Sequence, residues 1–505
     1  MSAVPAASSS PSPSLSDGRP TAATGVAGAP ATAAPLRTRL LGIGALTGVE
    51  LLGNGMVMFS AAQLMHALGL TAAQFGLAYT LYGVAAIVML CKHRWMVERL
   101  GYRRFAAGSL LVHAAGSLVC ACADGPALFM LGRLLQGLGG ATFFTAGRLV
   151  VNTLPPANRL AGMKAFVTGM FTASALAPLL AALLLETVGW RGLFLAALPW
   201  AAVVTRLALR HLPTDITPPE ARSQAHWGWL LWLAVGSFGL QYAIQAIGVA
   251  PAELPMLALV AGGSAVALLP FAWRQWHHER PLLDYRGLAR QRYLVGLCLY
   301  FAGYALIGAS GLMLPWLLHV AGGVGLGATA LVCSASVVAS LAMALFHLMY
   351  GLRWPRHRVW MLVGLVLVGA GNLAIARTGT EALPSMVCAG LLVGLALPLF
   401  MGPVALNTFI ELPPEVLSHA TQVKNVVRQL GLSSGIALAT FSLHVFAGGE
   451  GARAGMGGWI ADALRGLAAA GGEADGLVAA RLVFALLAVG VLPLGVVVAG
   501  QRVIR

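Results

Sequence analysis

Charged residues are scarce in this chain. Of its 505 residues only 10% are charged, whereas 58% are hydrophobic, and the mean hydropathy is +0.81. A soluble globular domain carries about 25% charged residues. Water is therefore not the solvent for most of this chain.

Cysteine is also scarce, and phosphate-binding sequence is missing. The six cysteines lie in or at the ends of apolar runs, so we expect packing residues rather than a disulfide framework, and we predict no metal site. There is no Gly-Lys-Ser/Thr phosphate loop. Gly323, Gly325 and Ala328 match a nucleotide-type pattern but lie between two apolar runs rather than after a strand. We therefore expect neither a bound cofactor nor a built-in ATPase.

Long apolar runs, in contrast, are abundant. A membrane-spanning helix needs about 20 mainly apolar residues. Fourteen runs meet this requirement, although only a polar notch at 251–255 separates the seventh from the eighth. Without that pair the count would be twelve. The predicted spans are 40–62, 73–91, 105–123, 127–150, 162–184, 190–210, 227–248, 255–273, 293–317, 325–350, 358–377, 382–406, 419–446 and 478–500.

Basic residues are arranged by loop. The chain has 32 Lys and Arg against 17 Asp and Glu, a net charge of +15. Most of them fall in every second loop, on the cytoplasmic side if the N-terminus is cytoplasmic, as the positive-inside rule predicts. They are not gathered on one face, as a nucleic-acid site requires. We therefore predict cytoplasmic termini and no nucleic-acid partner.

Composition also divides the chain into segments. Residues 1–36 are mostly Ala, Ser, Pro, Gly and Thr, which predicts a disordered cytoplasmic tail. Polar connections at 211–226 and 274–292 bracket the seventh and eighth spans. We therefore predict an all-α membrane fold with a six-helix bundle at 37–210, a linker with two inserted helices at 211–292 and a second six-helix bundle at 293–505. The Gly-rich segment 447–477 should face the outside.

Four polar or small-residue stretches interrupt the apolar pattern. Between spans two and three, Glu98 can accept hydrogen bonds from arginine and cap a helix, which would latch the bundle; a simple basic loop is the alternative. Span five has Pro178 among small residues, which favours a kink and close helix approach. The candidate functional residues are Glu98, Arg99, Gly101, Arg103 and Arg104 in the first stretch, and Ala173, Ala177 and Pro178 in span five.

The other two stretches place basic residues inside spans. Arg133 in span four is followed by Gln136, and a guanidinium in hydrocarbon costs about 2.5–3.5 kcal/mol, so it should face a cavity or a partner. Structural pairing alone is the alternative. Span thirteen opens with a polar stretch that contains Asn425 and Arg428. Snorkelling of Lys424 and Arg428 towards the membrane surface would explain that stretch equally well.

Glu50 is the carboxylate that the predicted spans place deepest. It lies ten residues into span one, about 15 Å from its start. A carboxylate that switches between two environments, one of them near Arg133, can take up and release a proton, so we predict that Glu50 and Arg133 couple transport to protons. A Glu paired permanently for structure is the alternative. Asn54 and Met58 share its helix face, and Tyr300 and Tyr304 could form aromatic cavity walls.

Together, the stretches 98–104, 132–141, 173–182 and 418–431 resemble the Major Facilitator Superfamily, and within it the fourteen-span branch of drug:proton antiporters. The resemblance covers most of residues 40–500. It implies alternating access and marks Ala173, Ala177 and Pro178 as an antiporter-like motif. The sequence departs from the family pattern at Glu98, where the family prefers Asp, at Arg94, where it has Gly, and at the two alanines, where it has Gly.

The resemblance implies proton-coupled efflux of hydrophobic or amphipathic compounds, cations among them, from the cytoplasmic membrane of a bacterium. The partners would be the substrate, protons and the bilayer, with the proton gradient as the energy source; any periplasmic adaptor is unknown. A transporter dedicated to one metabolite or siderophore is the alternative. A lipid-modifying membrane enzyme would need several acids or histidines at one depth, and only Glu50 lies deep.

Overall fold

A computed structural model describes most of the chain. It covers residues 35–212 except 141 and 153, 227–247, 254–278, 283–413 except 354, 355 and 381, 416–447 and 475–501, with the single residues 216, 218, 222 and 504. Several predicted segments therefore lie outside the described residues. They are the tail up to residue 34, most of the linker 211–226, the notch at 251–253, residues 281 and 282, and nearly all of 447–477.

The described residues form helices and no strands, as the composition predicts. Seventeen α-helices are joined by short turns, by two 3₁₀ turns at Pro156–Asn158 and Gly351–Arg353, and by one π-helical segment at Trp316–Ala321. The helices are α1 Leu36–Phe59, α2 Ala61–Leu68, α3 Ala72–Ala121, α4 Pro126–Gly140, α5 Thr142–Asn152, α6 Arg159–Thr187, α7 Arg191–Leu195, α8 Ala197–His211, α9 Trp227–Ile247, α10 Leu254–His277, α11 Tyr285–Leu288, α12 Gln291–Pro315, α13 Leu326–Tyr350, α14 His357–Arg377, α15 Leu383–Asn407, α16 Leu417–Ala447 and α17 Asp475–Gly500.

Within the described ranges, eleven helices are long and apolar enough to cross a membrane. One of these, α3, contains two predicted spans. The predicted span 127–150 is divided between α4 and α5, and the predicted span 227–248 corresponds to α9, which is not among the eleven. The chain is thus an all-α membrane protein with many spans, while the count of fourteen stays a prediction.

Helix α3 is interrupted at Gly101. Its 50 residues would extend about 75 Å, more than twice the thickness of a bilayer core. Gly101 has φ 73° and ψ 158°, a conformation that is essentially confined to glycine. The predicted loop 92–104 is therefore helical on both sides of one glycine, and the chain is kinked at that glycine.

Small residues bring α1 against α6. A Cβ placed on Gly48 would lie 3.0 Å from Cβ of Ala173, and one on Gly55 would lie 2.7 Å from Cβ of Ala177. Without a large side chain between them, the two backbones approach closely, as is typical of membrane helices. This contact fixes the rotation of α1 and thereby the direction in which Glu50 points.

Helix α9 of the inserted pair packs against α3 through a buried lysine. Lys92 Nζ lies 4.5 Å from the ring centroid of Trp95 and 4.6 Å from that of Trp227, the first residue of α9. Cation–π contacts of this kind stabilise by about 0.5–2 kcal/mol, more when they are desolvated. Helix α9 thus contacts α3 within the predicted loop 92–104. The bundle boundaries at residues 210 and 292 remain predictions.

Candidate functional site: a charged cluster between the two halves

A buried ion pair joins α1 to α16. Arg428 Nη2 donates to Glu50 Oε1 at 2.8 Å, and both side chains are almost fully buried. The other carboxylate oxygen, Glu50 Oε2, accepts no hydrogen bond from any residue that the structure describes. The carboxylate therefore has one oxygen held by a cation from the other half of the chain and one oxygen open to a proton.

Arg133 lies at the centre of a second polar group one turn away. Its Nη2 donates to Asn54 Oδ1 at 3.1 Å and its Nη1 to Gln136 Oε1 at 2.7 Å, while Gln136 donates onward to Ser117 Oγ at 2.9 Å. The guanidinium carbon also lies 4.5 Å from the ring centroid of Tyr82. Among the described residues, the partners of Arg133 are thus neutral amides and aromatic rings, and no carboxylate binds it.

A third group adds two more cations beside the stacked tyrosines of α12. Tyr300 and Tyr304 stack at 5.9 Å with their planes only 12° apart. Lys424 Nζ lies 5.4 Å from the Tyr300 ring centroid and is within electrostatic range of Arg148 and Arg428. Tyr304 in turn is within range of Arg428, Glu50 and Arg148. The ion pair and the tyrosines therefore belong to one continuous cluster.

The residues of the predicted loop 92–104 form a separate contact at one end of the bundle. Arg94 Nε donates to Glu98 Oε1 at 2.8 Å, and Arg94 Nη1 lies 3.4 Å from Nε2 of His419, near the start of α16. Arg99 stacks on Trp95, with 4.2 Å between its Cζ and the ring centroid. Arg94, a departure from the family pattern, thus connects α3 to α16.

The remaining residues of this motif take separate positions. Arg103 Nε donates to the Leu212 carbonyl at 3.0 Å, which ties α3 to the end of α8. Arg104 is exposed. Gly101 supplies the break itself. In these contacts Glu98, Arg99 and Arg103 each meet a different neighbour.

The structure gives the predicted charged positions specific partners. Arg428 binds Glu50, while Arg133 binds Asn54 and Gln136, so a joint role of Glu50 and Arg133 in proton coupling stays a prediction. Met58 packs near Gly311 and lines a small cavity together with Leu312, and its place in a substrate cavity stays a prediction. Lys424 and Arg428 are buried, which contradicts the snorkelling alternative. Asn425, also buried, lies between them on α16.

Sequence reasoning missed Arg148 and the contribution of Lys424. Both lie close to span ends, where a basic residue is ordinarily explained by the positive-inside rule. The available signal was the four-residue spacing of Lys424 and Arg428, which places both on one helix face. Arg148 had no such signal, because α5 meets α16 only in the folded chain.

Known proteins support a transporter fold. A family model described as Major Facilitator Superfamily matches residues 43–436. A relative from Cronobacter sakazakii, named "Putative multidrug resistance protein MdtD", is 29% identical over 376 residues, covering 72% of this chain and 77% of the relative. A protein of the same name from Salmonella typhimurium is 28% identical over the same shares.

Solved structures give the same fold at low identity. An auto-inhibited peptide transporter of the POT family aligns with a TM-score of 0.63 and 15% identity, covering 92% of this chain and 97% of that one. The nucleoside transporter NupG aligns with a TM-score of 0.56 and 13% identity, covering 91% and 99%. The chain therefore belongs to the Major Facilitator Superfamily, and it is an integral membrane transporter for a small molecule, not an enzyme.

Proposed function

We propose that this protein is a proton-coupled exporter of hydrophobic or amphipathic small molecules that works by alternating access. The observation that carries the proposal is the Glu50–Arg428 pair, which is buried and joins the two halves of the chain. The names of the relatives, which refer to multidrug resistance, support export and a broad cargo.

Protonation of Glu50 would weaken the link between the halves. The interaction of two opposite charges is strong where water is excluded, and it is lost when the carboxylate becomes neutral. Oε2 of Glu50 is the atom that the proton would reach first, since Oε1 is held by Arg428. Proton uptake then frees α1 to move relative to α16, and proton release closes the link again.

Two neighbouring groups would assist this cycle. Arg133 of α4 binds Asn54, which lies one helical turn from Glu50 on α1. This contact would keep the polar face of α1 turned towards α4. Arg94 connects Glu98 to His419 at the end of the bundle, so breaking that contact would accompany opening on the same side. Pro178, inside α6, would let that helix bend against α1.

The setting of the proposal is the cytoplasmic membrane of a bacterium with both termini in the cytoplasm. The alternation of basic loops supports this orientation. The proton gradient supplies the energy, and no bound cofactor, nucleic acid or metal takes part. The membrane potential adds about 2.3 kcal/mol for each proton that moves inward across 100 mV.

The test is transport by purified protein in vesicles under an imposed pH gradient, with a fluorescent amphipathic dye as cargo. We expect the wild type to move dye only when a gradient is present. Glu50→Gln should still bind the dye but should no longer respond to pH. Glu186→Gln is the matched control, since Glu186 is exposed in the last turn of α6. Unchanged proton coupling in Glu50→Gln would overturn the role of Glu50.

A further inference from the structure

Helix α9 of the inserted pair lies in a seam between α3 and α16. Its first residue, Trp227, packs edge-to-face against Trp95 of α3, with 5.3 Å between the ring centroids. One apolar cluster is shared by the three helices. It includes Ile87 and Cys91 from α3, Leu230 and Leu233 from α9, and Val423, Val426 and Leu430 from α16. Because α3 belongs to the first predicted six-helix bundle and α16 to the second, α9 contacts both bundles.

A polar side chain is buried in this seam. Gln241 of α9 is only 1% exposed, and neither its Oε1 nor its Nε2 has a hydrogen-bond partner among the described residues. A buried amide without partners costs free energy, because it has given up its hydrogen bonds to water and gained none in the protein. Polar residues inside membrane helices usually serve a function for this reason. Packing alone would favour an apolar side chain at this position.

A second amide faces the same gap. A Cβ built on Gly83 of α3 would lie 2.9 Å from Oε1 of Gln241 and 3.1 Å from Nε2 of Gln429 on α16. Gly83 has no side chain, so the two amides approach each other over its backbone. Each amide has both donors and acceptors, so the two can pair in either orientation. In this structure, however, Gln241 does not hydrogen-bond Gln429.

The position of Gln429 depends on the same movement as the buried ion pair. Gln429 directly follows Arg428 in α16, and Arg428 binds Glu50 of α1. A movement of α16 that separates Arg428 from Glu50 therefore moves Gln429 as well. Gln241 is carried with α3 instead, because the start of α9 is packed on that helix. The distance between the two amides thus changes whenever the ion pair breaks.

We propose that Gln241 is a positioning residue for alternating access, which hydrogen-bonds Gln429 only in the state in which the Glu50–Arg428 pair is broken. In the present state the ion pair is formed and Gln241 has no partner among the described residues. In the other state the ion pair is lost and the amide bond is gained. The new bond offsets part of the loss, so the state with the broken ion pair is more populated. This inference rests on the proposed transport function and makes the inserted helix α9 part of its mechanism.

Transport kinetics in vesicles test the amide pair. We expect Gln241→Leu and Gln429→Leu each to lower the maximum rate of gradient-driven dye transport at least about fivefold, with the KM for dye within about twofold of the wild type. The double variant should be no slower than either single variant, because the two residues act through one bond. Tyr242→Leu, at the exposed neighbouring position of α9, is the control and should transport normally. A wild-type rate in Gln241→Leu, or effects that multiply in the double variant, would overturn the proposal.

Thermal unfolding in detergent separates this role from a structural one. Because Gln241 lacks a partner among the described residues in this state, Gln241→Leu should unfold at the temperature of the wild type or above it. A variant that transports more slowly and is at least as stable cannot owe the slower rate to a damaged fold. A loss of stability that matches the loss of transport would instead point to a structural role and overturn the proposal.

Cross-linking tests the dependence on state without those leucine variants. Gln241→Cys and Gln429→Cys are introduced together into a chain whose six native cysteines are replaced by alanine, since one of these lies in the same seam. Copper phenanthroline should form the disulfide at least about threefold faster when Glu50→Gln, which mimics the protonated carboxylate, is added. The control pair, Arg191→Cys with Asp124→Cys, lies within the first predicted bundle and should form its disulfide at an unchanged rate. Equal rates for the seam pair with and without Glu50→Gln would contradict the proposal.

The two kinds of measurement also separate this inference from the transport function. If the wild type moves no dye under a gradient, the proposed function fails, and the cross-linking rates still decide whether the amides approach when Glu50 is neutral. If the wild type transports dye and Gln241→Leu transports it equally well, this inference alone fails.

Discussion

Glu50 of α1 and Arg428 of α16 are 378 positions apart in sequence and are joined by a hydrogen bond of 2.8 Å in the folded chain. Each is the charge that makes burial of the other tolerable. The pair joins a helix of the first predicted six-helix bundle to a helix of the second, so a rearrangement of these two bundles must stretch or break it. This is the geometry expected of a group whose protonation controls a conformational change.

Arg428→Gln should destabilise the protein strongly. It leaves the Glu50 carboxylate buried without its cation, and breaking a buried pair from one side costs about 3–5 kcal/mol. The measurement is thermal unfolding in detergent at neutral pH. Adding Glu50→Gln to the same chain should recover most of the loss, because the unpaired charge is then removed. Simple additivity of the two substitutions would contradict an energetic coupling between them.

Lysine should not be able to replace arginine at position 133, so we expect Arg133→Lys to be impaired. The guanidinium donates to Asn54 and Gln136 at once and lies over the Tyr82 ring, and an ammonium group cannot reproduce that planar geometry. We expect a loss of about 1–3 kcal/mol in stability together with reduced transport. Arg104→Lys, at an exposed position, is the matched control. Wild-type transport in Arg133→Lys would show that charge alone suffices there.

Gly169→Ala should disturb the packing of α1 on α6. A Cβ at this position would overlap backbone atoms of Gly44, and backbone cannot rotate away as a side chain can. Overpacking of this kind costs about 1–3 kcal/mol. Gly42→Ala is the control on α1, since its Cβ would meet nothing within 4 Å. Equal unfolding temperatures for the two variants would argue against close contact between the helices.

Gly101→Ala should strain the break in α3. The φ of 73° with ψ of 158° is a region that residues with a Cβ rarely occupy, at a cost of about 1–3 kcal/mol. Gly108→Ala, in the same helix with open space around its Cβ, should be neutral or slightly stabilising. Thermal unfolding compares the two. If Gly101→Ala is as stable as Gly108→Ala, the break does not require glycine.

Much of the fold could be predicted because the bilayer imposes a local rule. A segment that crosses hydrocarbon must form all its backbone hydrogen bonds within itself, as a helix does, and must be apolar for about 20 residues. Each span is therefore visible in the sequence. The stretches around Arg133, Pro178 and Arg428 indicated the family, which the match over residues 43–436 confirms. The sequence also marked Gly101 as part of a motif. It did not show that the chain is helical on both sides of this glycine, where we predicted a loop.

What the sequence determined by itself is the class of the protein: an all-α membrane transporter of the Major Facilitator Superfamily, with Glu50 as its deep carboxylate. What only the tertiary structure decided is which charges meet. Glu50 binds Arg428 and not Arg133, and Met58 packs against Gly311 of α12. Arg148 and Lys424 both lie near the ring of Phe409, beside the tyrosines of α12. The physical reason is that each partner is set by the rotation and close approach of helices far apart in sequence. Those quantities depend on contacts such as Gly44 against Gly169, which hydropathy along the chain does not record.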